Sequence, residues 1–325
     1  MHPSESSGSF YHVIDGIARL ILLILSALLP LFIIPLPWVA VAQGKMLLVV
    51  ILGGIALCAW IVARLMEGGV HIPRSALLYA AALLPIAYLI STIAAGWTGN
   101  ALVGQGIEQD TLAAVAVWFS IFSLTALLLY GNHAAQKMSI QALVIGLTIL
   151  TAFQTLYIFF PTLFSLGVLS GATANVVGSW HDLGILSGLG IFFALALFQS
   201  GYFTGIKRLL LVALGLLSAF LLVVIHFQDV FWATAALTLV GAVISIRGAL
   251  RRGFTLPHAL LNGLPWLVVT ALLAGGAYFG TNMWEKLPAP LSISQTEVRP
   301  SWQGTFDIAK QSLQAPSEFV FGAGP

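Results

Sequence analysis

Three short stretches of this chain gather side chains able to bind anions or move protons. The first runs Asn175-Val-Val-Gly-Ser-Trp-His-Asp182 and opens onto a long apolar run. The second is His226-Phe-Gln-Asp229, held between two apolar runs, and the third is Arg299, three residues before Trp302. Histidine and carboxylate side chains exchange protons near neutral pH. An arginine can grip a phosphate with two parallel hydrogen bonds. Each stretch also has a plainer reading. Ser179 or Asp182 would cap a helix, where an anion in the first turn meets the helix dipole favourably. The segment from His226 to Asp229 would be a solvated hairpin turn; otherwise His226, Gln228 and Asp229 line an outer pocket beside the tail. Arg299 would be an interfacial anchor with its charged head snorkelling to water.

Several other chemistries lack their residues. No Gly-x-x-x-x-Gly-Lys-[Ser/Thr] phosphate loop is present, which argues against nucleotide hydrolysis. There is no His-Glu-x-x-His, and the seven histidines show no metal-ligand spacing. No Asp-x-Asp pair is present, which argues against a metal-dependent sugar-nucleotide transferase. Gly322-Ala-Gly324 is too short for a dinucleotide site. Neither metal nor other cofactor is expected. Cys58 is the lone cysteine, so no internal disulfide forms.

The elements that must position these residues are membrane spans. Of 325 residues 59% are hydrophobic and 7% charged, against roughly a quarter charged in a soluble domain. A net charge of +2 gives no reason to expect nucleic acid. Apolar runs fall near 17–42, 46–65, 76–95, 109–130 and 140–160, then near 182–200, 208–226, 230–247 and 259–281. Runs of about 20 residues span the hydrocarbon as helices, because barrel strands would alternate over about ten. The first run lacks a basic cluster before it and a small-residue cleavage pattern after it, so it reads as a retained span. The expectation is an all-α, polytopic transmembrane helix bundle of about nine spans. Residues 1–281 form the helical body, and 282–325 form an outer-face segment.

Orientation follows from the basic residues. With the N-terminus inside, Arg19, Arg64, Arg74, Lys137, Lys207, Arg208, Arg247, Arg251 and Arg252 fall inside, while only Lys45 lies outside before the tail. Most carboxylates and both His181 and His226 then face outward. Trp38, Trp97, Trp180, Trp232 and Trp284 fall at outer helix ends, as an aromatic belt would place them. Gly184 and Gly188 form a small-xxx-small pair suited to close helix packing. In the tail, Trp302, Phe306, Ala309 and Leu313 mark one face of a helix started by Pro300 and stopped by Pro316. Such an amphipathic helix lies on a membrane surface or on the outer face of the bundle.

Three segments in this order resemble the O-antigen ligase/polymerase family, over roughly residues 170–325. They are Gly178-Ser-Trp-His-Asp-Leu-Gly184, the hairpin ending in Trp232, and Arg299-Pro-Ser-Trp302 followed by a helix, Pro316 and Phe321-Gly-Ala-Gly-Pro325. Two departures stand out. Members of the family often carry Ser-Arg ahead of the hairpin tryptophan, and that arginine is implicated in donor binding. Gln228-Asp229 stands here instead, and an acid repels a diphosphate. The family's catalytic histidine and further spans follow the Gly-x-Gly, where this chain stops at Pro325. The expectation is of a fragment that is inactive alone.

The resemblance implies metal-independent glycan transfer from a polyprenyl-diphosphate carrier to a glycan or lipid acceptor. It places the reaction at the outer, periplasmic side of the bacterial cytoplasmic (inner) membrane. Arg299 would stabilise the charge that builds on the leaving diphosphate. His226, His181 or Asp229 would act as general base in place of the loop histidine. Asp182, His181, Gln228, Trp302 and Asn175 would hold the substrate. Two other readings compete: a transporter or flippase of lipid-linked glycan, and a non-catalytic membrane scaffold. Transport is disfavoured because ionisable residues are scarce at mid-span and the polar groups gather at one face.

Overall fold

A backbone in lipid must satisfy its own hydrogen bonds, and long apolar segments do so as helices. The structure, a computed structural model, describes residues 6–36, 38–70, 72–104, 110–284, 288, 291, 293, 302–313 and 318, with backbone alone for 6–9, 281–284 and 302. Among these residues all regular structure is helical. In order come α1 (Ser6–Leu28), α2 (Val41–Glu67), α3 (Ala76–Ala94), α4 (Gly99–Val103), α5 (Leu112–Leu129) and α6 (His133–Phe159). Then follow α7 (Pro161–Phe164), α8 (Trp180–Ser200), α9 (Lys207–Ile225), α10 (Gln228–Arg251), α11 (Leu256–Trp284) and α12 (Trp302–Ser312). Nine of them, α1–α3, α5, α6 and α8–α11, are long and apolar enough to cross a membrane.

The first span differs from its sequence expectation. The helix ends at Leu28 instead of running to 42, because Pro30 lacks an N–H and disfavours helical geometry in the residue before it. Residues 32–36 form no helix, and Leu31 and Ile33 pack on the core that holds Leu150, Trp180 and Leu221. The helix also begins earlier, at Ser6. Two short helices, α4 and α7, interrupt segments expected to be loops.

The chain divides into two compact units. One comprises 1–29, 42–140 and 298–325; the other comprises 30–41 and 141–297. In the first, Leu22 and Leu25 of α1, Val49 and Ala56 of α2 and Leu124 and Leu128 of α5 share a buried core. A charged clasp lies against it. Buried Asp15 accepts hydrogen bonds from Arg19 on its own helix and from Arg64 Nη2 of α2 (2.8 Å), while Arg64 also pairs with Glu67. Arg19 Nε donates to Leu128 O of α5 (3.2 Å). Two of the arginines that set the expected orientation are therefore paired with acids. The positive-inside rule counts arginine and lysine rather than net charge, so the pairing leaves that argument intact.

In the second unit α8 packs against α9 and α10, and α10 packs against α11. Small residues let the backbones approach. A Cβ at Gly188 would run into Thr234, and one at Gly184 would sit 3.2 Å from Ile225. The small-xxx-small pair is thus a packing feature. A Cβ at Gly241 would strike the Trp266 ring, and one at Gly276 the Phe231 ring. Polar side chains tie the same helices together. Gln199 Oε1 accepts from Trp266 Nε1 (2.7 Å) and Ser245 Oγ (3.1 Å), and the Thr238 and Thr270 hydroxyls meet at 2.9 Å. Each such bond between membrane helices contributes about 0.6 kcal/mol on average.

Candidate functional site

Chain direction sets where the polar residues of α8–α11 fall. The helices start and stop in alternation, so the starts of α8 and α10 share one end with the C-terminus of α9. Ahead of α8, Gln154 Nε2 donates to Ala174 O (3.1 Å) and the Tyr157 hydroxyl to Gly171 O (2.9 Å). These bonds hold the loop before α8 against α6. Asn175 is buried in that loop. Its Oδ1 accepts from the Val177 and Gly178 N–H groups, both at 2.9 Å, and its Nδ2 donates to Thr173 O (3.1 Å). The side chain builds the turn that leads into the helix. Ser179 Oγ then caps α8 by accepting from Asp182 N (3.0 Å). Asp182 sits exposed in the first turn.

Trp180 is the exception among the belt tryptophans. It is 1% exposed and belongs to the core formed with Tyr157, Leu183 and Leu221. Immersion in this core turns it inward, whereas Trp38, Trp97 and Trp232 are exposed at helix ends as expected. The side chain of Trp284 lies outside the described residues.

The cap geometry presents His181 to α10. His181 is buried, and its Nε2 lies 2.8 Å from Asp229 Oδ2. An ionised carboxylate only accepts, so Nε2–H donates and Nδ1 is the basic nitrogen of the neutral ring. The ring packs edge-on against Phe227, centroids 4.8 Å apart. Asp229 is about half exposed and lies in the first turn of α10, where the helix dipole favours its charge. A cavity of about 190 Å³ lies between the two helices, lined by His181, Asp229, Ile185, Gly188 and Thr234. That is below the usual range of about 300–1,000 Å³ for ligand pockets, so it suits one arm of a ligand.

His226 occupies the joint between α9 and α10 in the left-handed region (φ 49°), where histidine is better tolerated than branched residues. Its ring lies against Gly280, where a Cβ would collide with it, and edge-on to Phe231. Burial pushes its pKa down from the ordinary histidine value. Gln228 is exposed, and its Nε2 donates to Ala277 O of α11 (3.2 Å). His226 also closes one end of a second, apolar cavity of about 860 Å³ between α8, α9 and α11.

The structure therefore brings together His181, Asp229 and Thr234, with His226 and Gln228 at the same end of these helices and Asp182 in the first turn of α8. Arg299 lies outside the described residues. Trp302 opens α12 with its backbone alone described, as the stripe in the tail anticipates. Sequence reasoning missed Thr234 as a cavity residue; a hydroxyl on the helix face shared by Val230 and Leu237, four and three residues away, was the available signal.

Comparison with protein-family models, curated proteins and solved structures found no match. This is a multi-pass membrane protein. Among the described residues no cluster of His, Cys, Asp and Glu could hold a metal ion. What the His181–Asp229 pair offers chemically is an oriented base. The carboxylate fixes the tautomer, and it would stabilise the imidazolium formed when Nδ1 takes a proton.

Proposed function

We propose that this protein belongs with the O-antigen ligases and polymerases in its chemistry, moving a glycan from a polyprenyl-diphosphate carrier to a glycan or lipid acceptor. The His181 end of α8–α11 then faces the periplasm, with the N-terminus inside and the protein in the cytoplasmic membrane of a bacterium. The observation that carries this reading is the 2.8 Å contact between His181 and Asp229, an oriented base at the polar end of apolar helices.

In this reading the acceptor hydroxyl oxygen attacks the anomeric carbon of the donor. The bond from that carbon to the diphosphate oxygen breaks, and the hydroxyl proton passes to His181 Nδ1. The carrier leaves as polyprenyl diphosphate, and Arg299, which lies outside the described residues, is the sequence's candidate for stabilising that growing charge. Pairing with His181 also eases the departure at Asp229. A carboxylate engaged with an imidazole, and with an imidazolium once the proton has moved, repels a diphosphate less than a lone one.

Right-side-out vesicles from cells that carry the whole gene, supplied with labelled lipid-linked glycan, test the proposal. A larger labelled product, lost on His181→Ala, is expected. Label that crosses the membrane with its size unchanged would favour a flippase, and unaltered label on its original side a scaffold.

A further inference from the structure

The second end of α8–α11 has the opposite electrostatic character. Lys207 and Arg208 open α9, and Arg247, Arg251 and Arg252 close α10; all five are exposed. The described carboxylates of this unit, Asp182 and Asp229, sit at the starts of α8 and α10, at the other end of these helices. No ion pair among the described residues involves any of the five cations.

Arg208 is the cation that stacks on a ring of the large apolar cavity's wall. Its guanidinium carbon lies 5.4 Å from the centroid of the Phe198 ring, and Phe198 lines the cavity. Its Nε donates to Phe203 O (3.1 Å), which fixes the fork in place. Its Nη groups donate to no described residue. From this point the groove follows α9 from Leu211 to His226, about 22 Å at 1.5 Å per residue, so it is deeper than one leaflet. One leaflet of hydrocarbon is roughly 15 Å deep, half of the core thickness. Leu216 and Leu272, on its facing walls, are 67% and 70% exposed, so the groove opens sideways to lipid.

We infer that this groove seats one acyl chain of an anionic phospholipid from the leaflet at the Lys207 end, with its phosphate on Arg208. Charge complementarity selects the occupant. An apolar helix brings no anion to this guanidinium, and a zwitterionic lipid carries its own cation beside its phosphate, whereas an anionic phosphodiester gains charge-assisted hydrogen bonds without that offset. The inference is independent of the glycan-transfer proposal, since it uses the opposite end of the helices.

The test is native mass spectrometry of the full chain in a mild detergent, given equal amounts of phosphatidylglycerol and phosphatidylcholine with matched acyl chains. Phosphatidylglycerol should be retained about fivefold over phosphatidylcholine, the worth of one basic contact near an anionic surface. Arg208→Gln should bring the ratio near unity, and Arg208→Lys, which keeps the charge, should preserve most of it. Val212→Trp fills the groove beside Arg208 and should abolish retention of both lipids, whereas Arg251→Gln should leave the preference intact. Equal retention of the two lipids by the unaltered protein would overturn the inference. So would a preference that survives both Arg208→Gln and Val212→Trp, a dimer in place of the lipid adduct, or displacement of phosphatidylglycerol by an equal amount of a polyprenyl phosphate.

Discussion

His181 on α8 and Asp229 on α10, 48 residues apart in the chain, meet through a 2.8 Å hydrogen bond at the polar end of their helices. One partner is buried and the other about half exposed, so the contact links the packed interior to the aqueous boundary. A pair so placed adds modestly to stability, because a hydrogen bond open to water on one side contributes about 0.5–1.5 kcal/mol. Its value lies in orienting an imidazole.

Asp229→Asn keeps the shape of the contact but no longer dictates the tautomer. Transfer from a lipid-linked glycan should fall by about 10²–10⁴-fold, the usual worth of general-base catalysis, with thermal unfolding nearly unchanged. Activity equal to the unaltered protein's would show that the pair has no part in proton transfer.

Asp15 should matter to stability instead. Asp15→Asn leaves two guanidinium groups facing an uncharged partner and should destabilise the protein by about 3 kcal/mol, moderated by the partial exposure of Arg19. Scanning calorimetry would read the change. Adding Arg64→Gln should recover part of the loss, and full additivity of the two substitutions would mean that the residues are not coupled.

Close packing gives a matched pair of glycine substitutions. Gly188→Ala forces a Cβ against the Thr234 hydroxyl and should cost about 1–3 kcal/mol. Gly54→Ala on α2 meets nothing within 4 Å and should stabilise its helix by up to about 1 kcal/mol. Equal unfolding temperatures for the two variants would contradict the close approach of α8 and α10.

His226 supplies a pH dependence. Burial lowers its folded pKa, so the folded protein favours the neutral ring. Above the ordinary histidine value both folded and unfolded states are neutral, and the residue contributes its full share of stability. As pH falls through that value toward the lower folded one, the unfolded state takes the proton first and stability is lost. His226→Asn, which tolerates the left-handed backbone, should flatten the unfolding-temperature profile across this window. An unchanged slope would assign the acid sensitivity to another group.

The spans were legible because each needs only an unbroken apolar length, a property of local composition. Pro30 was legible too, yet the apolar residues beyond it drew the expected helix to 42, and only packing of Leu31 and Ile33 shows where that segment goes. Trp180 stood at a helix start like the interfacial tryptophans, but burial is decided by what surrounds it. The roles of His181 and Asp229 as candidates could be read from their types. Their contact could not, because it depends on how closely Gly188 lets α8 approach Thr234. Asp15 passed unnoticed as a clasp, although its i,i+4 spacing from Arg19 was a usable signal.

Labelling decides the geometry on which glycan transfer rests. In a Cys58→Ala background, Asp182→Cys and Lys207→Cys would be exposed separately to a membrane-impermeant maleimide on intact spheroplasts. The account predicts rapid modification at position 182 and none at 207 until the membrane is opened. Modification at 207 with protection at 182 would put the His181 end in the cytoplasm, away from any periplasmic donor, and contradict it.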